Sequence, residues 1–280
     1  MRLARYKGDL RDALGPARRK GSTIGLVPTM GALHEGHLSL VTLAAQRCDV
    51  LVVSVFVNPM QFGKGEDFEA YPRDAEGDLE LLEGAGVDLA FLPSLEEMYP
   101  PGASVRVTAG PLGEGLEGAD RSGHFDGVCT VVAKLFNMVE PAIAVFGQKD
   151  AQQVAVVRAM VRDLDFEVEI VAGPTVRERD GLALSSRNAY LSKEERARAT
   201  TLYRALQAGA AVLHASGSAR EAEDAMDEIL ADTQGVDVSY ARVVDPDSFR
   251  APSPQGPMLL AVAARVGATR LIDNLLMEAR

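Results

Sequence analysis

Cysteine, tryptophan and long apolar runs are scarce in this chain of 280 residues, which has two cysteines and no tryptophan. Two cysteines are too few for a disulfide framework, and we interpret Cys48 and Cys129 as buried thiols in a reducing compartment. No run approaches the about 18 apolar residues that a membrane span requires, and the N-terminus lacks the apolar segment of a signal peptide. We therefore expect neither membrane insertion nor secretion, and we predict a cytoplasmic protein.

Positive charge is also in short supply, since 29 Lys and Arg face 40 Asp and Glu and leave a net charge of −11. Nucleic-acid binding depends on basic side chains that neutralise phosphates, so DNA and RNA are not expected as partners. Small molecules are the expected partners. The acidity is local, because residues 64–97 carry 2 bases and 11 acids whereas residues 1–63 carry 8 bases and 4 acids. We expect this acidic segment to lie outside the phosphate-binding motifs described below.

From residue 23 onward, short β-branched runs alternate with segments of helical periodicity. The runs predict strands at 23–27, 50–57, 88–92, 142–146 and 167–171, and the intervening helices are predicted at 37–47, 74–83, 128–139 and 151–162. Repeated strand and helix predict an α/β fold with a doubly wound parallel sheet, whose ligands bind at the carboxyl ends of the strands.

The pattern changes near Val176, where helices are followed by consecutive strands. The predicted helices are 193–215 and 219–231, and the predicted strands are 236–244, 258–266 and 269–277. This order indicates an α+β unit with an antiparallel sheet. We therefore predict a Rossmann-like catalytic domain over residues 1–175 and a smaller α+β C-terminal domain over residues 176–280 that covers the site.

The segment Pro28-Thr29-Met30-Gly31-Ala32-Leu33-His34-Glu35-Gly36-His37 lies where the first of these strands gives way to a helix. Such a turn presents free backbone N–H groups and the positive end of the helix dipole to an anion. His34 and His37 share one helix face and could stabilise charge on a phosphate, while Gly36 leaves room for close approach of a ligand. A metal pair is an alternative, but the spacing is not that of a zincin, and His124 and His214 are the remaining histidines.

Polar side chains follow two further strands. Asn58 and Gln61 come after the second strand, and carboxamides bind hydroxyls and carboxylates without adding charge. Lys149 lies in Gly147-Gln148-Lys149-Asp150 after another strand, where its ammonium could neutralise phosphate, and Gln153 lies one turn further on. On local grounds alone, Asn58 could equally be part of a turn and Lys149 a solvated surface residue.

Two loops complete the set of candidates. Ser185, Ser186 and Arg187 offer hydroxyl and guanidinium donors to a triphosphate at the predicted domain junction, although such a loop could simply cap a helix. The glycine-rich stretch 110–127 is a candidate mobile loop, and we hypothesise that its Arg121 and His124 help to close the site.

The ten residues from Pro28 to His37 resemble the pantothenate synthetase family, the pantoate–β-alanine ligases of the His-x-Gly-His nucleotidyltransferase superfamily. The resemblance covers residues 23–188 and, more weakly, 269–274. It implies ATP-dependent condensation of (R)-pantoate with β-alanine to pantothenate, AMP and diphosphate through a pantoyl adenylate. It also implies a homodimer, and we expect Mg²⁺ to accompany ATP.

The resemblance implies roles for individual residues. The catalytic groups would be His34, His37 and Lys149, with His37 a candidate proton donor. The contacts to pantoate and β-alanine would be Asn58, Gln61 and Gln153. The ATP contacts would be Met30, Gly31, Ala32, Leu33, His34, Glu35, Gly36, His37, Gly147, Gln148, Lys149, Asp150, Val176, Leu184, Ser185, Ser186 and Arg187.

Three alternative functions are also compatible with the sequence. Another His-x-Gly-His nucleotidyltransferase would transfer a nucleotide to a phosphate ester and release no AMP. A binding module would have little use for paired histidines near Lys149, and a metallohydrolase would need a chelatable metal but no ATP. The sequence contains neither the nucleophile elbow of α/β-hydrolases nor a P-loop.

Overall fold

The computed structural model describes residues 1–278, which form two sheets. The first has six parallel strands in the order β1-β4-β3-β2-β5-β6. Its strands are β1 (Arg2–Ala4), β2 (Ile24–Thr29), β3 (Val50–Val55), β4 (Leu89–Phe91), β5 (Ile143–Gly147) and β6 (Glu169–Gly173). The order reverses between β2 and β5, and the gap beyond their carboxyl ends is where a doubly wound sheet binds its ligand.

Helices cover both faces of this sheet. They are α1 (Lys7–Lys20), α2 (Glu35–Ala45), α3 (Ala75–Gly84), α4 (Leu95–Met98), α5 (Glu117–Asp120), α6 (His124–Val139) and α7 (Ala151–Asp163). Successive residues of a strand point to opposite faces, so Leu26 of β2 packs in the core with α1, α6 and α7, whereas Val27 packs in the core with α2 and α3. This alternation gives three layers, as the predicted fold class requires.

The second sheet is antiparallel and lies with three further helices. These are α8 (Lys193–Ala199), α9 (Thr201–Ser216) and α10 (Ala219–Ala231), followed by β7 (Val236–Val244), β8 (Met258–Val266) and β9 (Thr269–Met277). Leu260 of β8 packs in a core with residues of α9 and α10, while the neighbouring Leu259 packs with Ala151 at the start of α7. The small sheet is thus held between its own helices and the first sheet's domain. The predicted antiparallel sheet is confirmed, and the boundary near Val176 stays a prediction.

The sequence missed the first two elements, β1 and α1. Gly15 and Pro16 are poor helix formers and hide the helical pattern of α1, but the helix continues through Pro16. The structure shows that Leu10 and Leu14 are nonetheless fully buried, and the helix starts with a capping box in which Asp9 accepts from the N–H of Tyr6 (3.2 Å). Tertiary burial outweighs the poor local pattern here.

Two helix bounds differ from prediction for identifiable reasons. The expected single helix 193–215 is two helices that meet at Thr200, whose hydroxyl donates to the carbonyl of Ala197 (2.8 Å) and so competes with the helical hydrogen bonds there. Helix α6 begins at His124 and includes Gly127, which the sequence assigned to a loop. A Cβ on Gly127 would lie 2.3 Å from the Met60 carbonyl oxygen, so this glycine serves close packing of α6.

The prediction of two buried, free cysteine thiols is correct for Cys129 and wrong for the burial of Cys48. Both thiols are free, and Cys129 is buried in α6, but Cys48 is only half-buried in the turn after α2. Burial raises the pKa of Cys129 to about 12, so that thiol stays protonated at neutral pH. Within residues 1–278 no helix has the length and apolar content to cross a membrane.

Candidate active site

A cavity of about 210 Å³ opens beyond the carboxyl ends of β2 and β5. Fifteen of the residues predicted to bind ATP, pantoate or β-alanine line it: Met30, His34, Gly36, His37, Asn58, Gln61, Gly147, Lys149, Asp150, Gln153, Val176, Leu184, Ser185, Ser186 and Arg187. A wider cleft of about 800 Å³ between the two sheets shares Arg121, Lys149, Asp150, Ser185 and Arg187 with it. The fold therefore brings motifs that are more than 150 residues apart in sequence to one place.

Five predicted ATP contacts do not line this cavity. Gly31, Ala32 and Leu33 form the turn that precedes His34, and Glu35 is exposed on α2. The carbonyl of Gln148 accepts a hydrogen bond from the side chain of Asn274. A side chain that the sequence did not single out holds the turn: Asp78 of α3 accepts from the N–H groups of Ala32 (3.0 Å) and Leu33 (2.7 Å). Burial raises the pKa of Asp78 in spite of these two donors.

The two histidines are oriented by the backbone at the start of α2. The Nδ1 atom of His34 accepts from Gly36 N–H (3.1 Å), and the Nδ1 atom of His37 accepts from His34 N–H (3.3 Å). The rings lie 4.1 Å apart, centroid to centroid. Because each Nδ1 is an acceptor, the neutral rings carry their hydrogen on Nε2, and both Nε2–H groups remain to donate into the cavity.

Both imidazoles are neutral at physiological pH. Burial, followed by the charge of Lys149, lowers the pKa of His34 below its ordinary value. Burial and then the neighbouring His34 lower the pKa of His37 to about 3. The pair is thus a set of two neutral donors and carries no positive charge.

Gly36 also has a structural reason, in addition to the predicted close approach of a ligand, which stays a prediction. A Cβ at this position would lie 2.9 Å from Cε1 and 3.0 Å from Nδ1 of His34. Such contacts would displace the His34 ring from the helix N-terminus. The glycine therefore makes room for the histidine, a role that the prediction of close approach by a ligand did not include.

The carboxamides follow β3 in a fixed arrangement. Asn58 is buried, donates to Gln61 Oε1 (3.0 Å) and to the Gly127 carbonyl (3.1 Å), and accepts from the Tyr99 hydroxyl (2.9 Å). Gln61 turns its Nε2 toward Met30 Sδ (3.1 Å), a weak acceptor that a polar ligand can replace. The geometry makes Asn58 the support of Gln61, and its role as a direct substrate contact stays a prediction.

Arg121 and His124, which belong to the glycine-rich stretch 110–127, contact the segment that contains Gln61. The Nδ1 of His124 lies 2.8 Å from the Gln61 carbonyl and its Nε2 lies 3.1 Å from Arg121 Nη1, so Nδ1 carries the hydrogen and Nε2 accepts. Burial and then the charge of Arg121 lower the pKa of His124 to about 4. Both residues line the cavity, and their role in closing the site stays a prediction.

The acidic segment enters the site, contrary to expectation. Asp67 accepts two bonds from Arg187 (both 2.8 Å), and Glu66 accepts from Arg121 (3.0 and 2.7 Å). Burial would raise the pKa of Asp67, but its bonds to Arg187 and that charge lower it overall. The loop 58–71 is long and returns to the strand ends, which the charge count by segment could not reveal. Both arginines are therefore already paired with carboxylates when no phosphate is bound.

The remaining cation and the serines face the same space. The Lys149 ammonium lies 3.4 Å from Asp150 Oδ1, and Gln153 makes no side-chain hydrogen bond within the described chain. Ser186 donates to the Ala32 carbonyl (3.1 Å), which joins the Ser185–Arg187 loop to the turn before His34. An anion in the cavity would therefore meet donors from three separate chain segments.

An apolar wall faces these polar groups. It consists of Val128, Val131, Val132 and Leu135 on one face of α6, together with Phe56 and Phe146. The sequence predicted the helix and the strands that carry these side chains but not the cavity that they line, because a helical apolar stripe has the same period whether it faces a core or a ligand. A wall of this kind excludes water from whatever binds beside it.

The described residues offer no preformed metal site, since no group of three His, Cys, Asp or Glu side chains converges within residues 1–278. The carboxylates nearest the cavity, Glu66, Asp67 and Asp150, each accept from a cation of the protein. This donor set fits a divalent ion that arrives already bound to phosphates, and not one held by the protein alone.

Comparisons with known proteins find relatives over nearly the whole chain. A family model described as Pantoate-beta-alanine ligase matches residues 2–276. A pantothenate synthetase of Rubrobacter xylanophilus is 54% identical over 284 residues, covering 97% of each chain, and one of Moorella thermoacetica is 50% identical over 280 residues, covering 99% of each.

Two solved structures are similar over nearly the whole chain. A pantothenate synthetase of Thermus thermophilus has a TM-score of 0.94 at 51% identity and covers 98% of this chain and 99% of its own. A pantoate-beta-alanine ligase of Francisella tularensis, described as complexed with beta-gamma ATP and beta-alanine, has a TM-score of 0.80 at 33% identity and covers 99% of this chain and 97% of its own.

Proposed function

The chain belongs to the pantoate-beta-alanine ligase family, and from that premise we propose that it joins (R)-pantoate to β-alanine at the expense of ATP. The reaction forms a C–N bond and releases AMP and diphosphate. A carboxylate is a poor acylating agent, so the first step attaches it to the α-phosphate of ATP as a pantoyl adenylate. The amine of β-alanine then attacks the acyl carbon, and AMP leaves.

The observation that carries this proposal is the pair of neutral imidazoles whose Nε2–H groups face the cavity. When the pantoate carboxylate attacks the α-phosphorus, negative charge grows on the phosphate oxygens and on the departing diphosphate. Fixed donors stabilise such charge without having to reorganise. His34 and His37 donate there, and Lys149 supplies the positive charge that the neutral histidines lack.

The other side chains bind and orient the substrates. Gln61 and Gln153 have donors to offer to pantoate, while Ser185, Ser186 and Arg187 bind the phosphates. We infer that Mg²⁺ arrives with ATP as part of the substrate complex and neutralises the triphosphate. The apolar face of α6 then keeps water from the adenylate until the amine arrives.

The test is a substrate-omission experiment with the full chain, ATP and Mg²⁺. We expect steady formation of AMP and diphosphate only when pantoate and β-alanine are both present. A His-x-Gly-His nucleotidyltransferase of another kind would release no AMP under these conditions. ATP turnover that does not depend on pantoate, or no turnover with both substrates, contradicts the proposal.

We also propose a homodimer in the cytoplasm, in line with the resemblance and with the free thiols. Sedimentation velocity at micromolar concentration is expected to give the mass of two chains of 29.8 kDa each. A single species with the mass of one chain would contradict the dimer without affecting the proposed reaction.

A further inference from the structure

Strand β9 of the small sheet reaches the turn that carries Lys149. The side chain of Asn274 is 5% exposed, and its Nδ2 donates to two successive carbonyls, those of Gln148 (2.9 Å) and Lys149 (2.8 Å). One amide nitrogen has two hydrogens, and here both are used on the same turn. The backbone on either side of Lys149 is therefore fixed from the second sheet.

This fixation matters because little else restrains Lys149. Its ammonium stands on a flexible four-carbon stem, and the carboxylate that it contacts is that of the adjacent Asp150, at 3.4 Å. The direction of the stem depends on the two peptide units that Asn274 holds. A turn that rotated freely would carry the ammonium away from His34 and the cavity.

The preceding residue, Asp273, fixes a second segment of the site. Its carboxylate accepts from Nη1 (2.6 Å) and Nη2 (2.9 Å) of Arg177 and from the N–H of Asn274 (2.7 Å). The guanidinium also donates to the carbonyls of Gly181 and Asn274 (both 3.1 Å) and lies 4.0 Å above the ring of Tyr203.

Arg177 belongs to a small hairpin that leads into the serine loop. Arg177 pairs with Ala183, and Leu184 N–H donates to the Val176 carbonyl (3.0 Å). The hairpin therefore ends at Leu184, immediately before Ser185, Ser186 and Arg187. Asp273 and Asn274 thus hold two candidate phosphate-binding segments in place: the Lys149 turn and the loop that follows the hairpin.

We propose that Asp273 and Asn274 are positioning residues for adenylate formation, and that they act through Lys149 and through the Arg177 hairpin without touching substrate. This proposal rests on the proposed function. The small sheet then contributes to adenylate formation, because the two residues that position the phosphate-binding segments both lie in β9.

The simplest competing explanation is that these bonds merely attach one domain to the other. The same strand provides a matched comparison in Arg270, which donates to Glu117, to Asp120 (2.7 Å) and to Ser239 (2.7 Å). This cluster also joins β9 to the first domain, but among residues 1–278 its Arg270 donates no hydrogen bond to the Lys149 turn or to the hairpin. General loosening of the domains should follow from losing either cluster.

The experiment is a double-mutant cycle measured on ATP affinity by calorimetry, with Mg²⁺ present, and on single-turnover AMP formation. Asn274→Ala is combined with Lys149→Met, and Arg270→Met is combined with Lys149→Met for comparison. We expect Asn274→Ala to raise the Kd for ATP about 10-fold and to slow AMP formation by about 10- to 100-fold in the parent chain. Neither effect should recur when Lys149 is already replaced.

Equal effects of Asn274→Ala with and without Lys149, or the same coupling for Arg270→Met, would overturn the proposal. Asn274→Asp keeps the shape of the side chain, and it replaces Asn274→Ala in the cycle if the alanine variant does not fold. It places an acceptor against two carbonyls, so the same loss and the same coupling are expected. If the parent chain binds ATP but forms no AMP, the proposed function fails, while the binding cycle still decides the role of Asn274.

Discussion

At the scale of single residues, the site depends on uncharged donors placed by the backbone. His34 and His37 each use Nδ1 to cap the start of α2, and this fixes the position of the hydrogen on Nε2. Since burial lowers both pKa values, the donors do not change charge near neutral pH. The positive charge in the cavity comes from Lys149, Arg121 and Arg187 instead.

Substitutions of His37 test the donor directly. Replacement by Ala is expected to slow adenylate formation by at least ~100-fold, the loss typical of one transition-state donor. Gln can present its amide near the Nε2 position, whereas Asn reproduces only the Nδ1 acceptor, so Gln should retain more activity than Asn. Diphosphate release is the measurement, and a near-normal rate for the Ala variant would remove His37 from the mechanism.

Asp67 is expected to compete with ATP for Arg187. Replacing Asp67 by Asn frees the guanidinium, and we expect the KM for ATP to fall about fivefold, which corresponds to ~1 kcal/mol of competition. Asp163→Asn is the matched control, because it removes a carboxylate from the exposed pair with Arg162, at 2.8 Å. A higher KM for the Asp67 variant would show that the pair assists ATP binding.

At the scale of elements, the strand-to-helix turn depends on a neighbouring helix that the sequence did not reveal. Asp78 of α3 accepts from two N–H groups of the turn that precedes His34. In the sequence it is one acid among many in residues 64–97, and nothing in its spacing points to the turn. Contacts of this kind depend on tertiary structure and have no local signal.

Asp78→Ala is expected to raise the KM for ATP about 10-fold or more, because hydrogen bonds to a charged acceptor are worth about 1.5–3 kcal/mol each. Asp74→Ala is the comparison on the same helix. It removes the cap at Gly77 N–H (3.0 Å) and should cost about 1 kcal/mol of stability while leaving the KM for ATP unchanged. Steady-state kinetics and urea unfolding separate the two, and equal KM values for both variants would rule out the anchoring role.

The elements that the sequence predicted best are those with a strong period and clear ends. Helix α10 and strands β7, β8 and β9 have the expected bounds. Local pattern failed at Pro16, which lies inside α1, and at Gly127, whose missing Cβ allows close packing of α6. Motif positions placed most cavity residues, whereas the supporting partners Asp67, Asp78 and Asn274 follow only from the folded chain.

At the scale of the whole molecule, net charge says little about the site. The count of −11 disfavours polyanions, yet each cation at the cavity has its own carboxylate partner. Two buried histidines of the site make the stability of the fold depend on pH. His37 and His124 have pKa values of about 3 and about 4 in the folded chain, both below the ordinary value of 6.5.

Above the ordinary pKa, these histidines are neutral in both states and do not make stability depend on pH. As pH falls below about 6.5, the unfolded chain binds protons that the folded chain does not, so stability falls by about 1.4 kcal/mol per pH unit for each histidine. Urea unfolding between about pH 7 and about pH 5 measures this slope. The variant His124→Asn should reduce the slope by one histidine's share, and an unchanged slope would contradict the burial of a neutral His124.

The central claim is that pantoate is activated as an adenylate in this cavity, and isotope transfer tests it most directly. Pantoate labelled with ¹⁸O in its carboxylate is incubated with the full chain, ATP, Mg²⁺ and β-alanine, and the products are examined by mass spectrometry. Attack of the carboxylate on the α-phosphorus leaves one labelled oxygen in AMP and the other in the amide of pantothenate. AMP that carries no ¹⁸O would contradict the account.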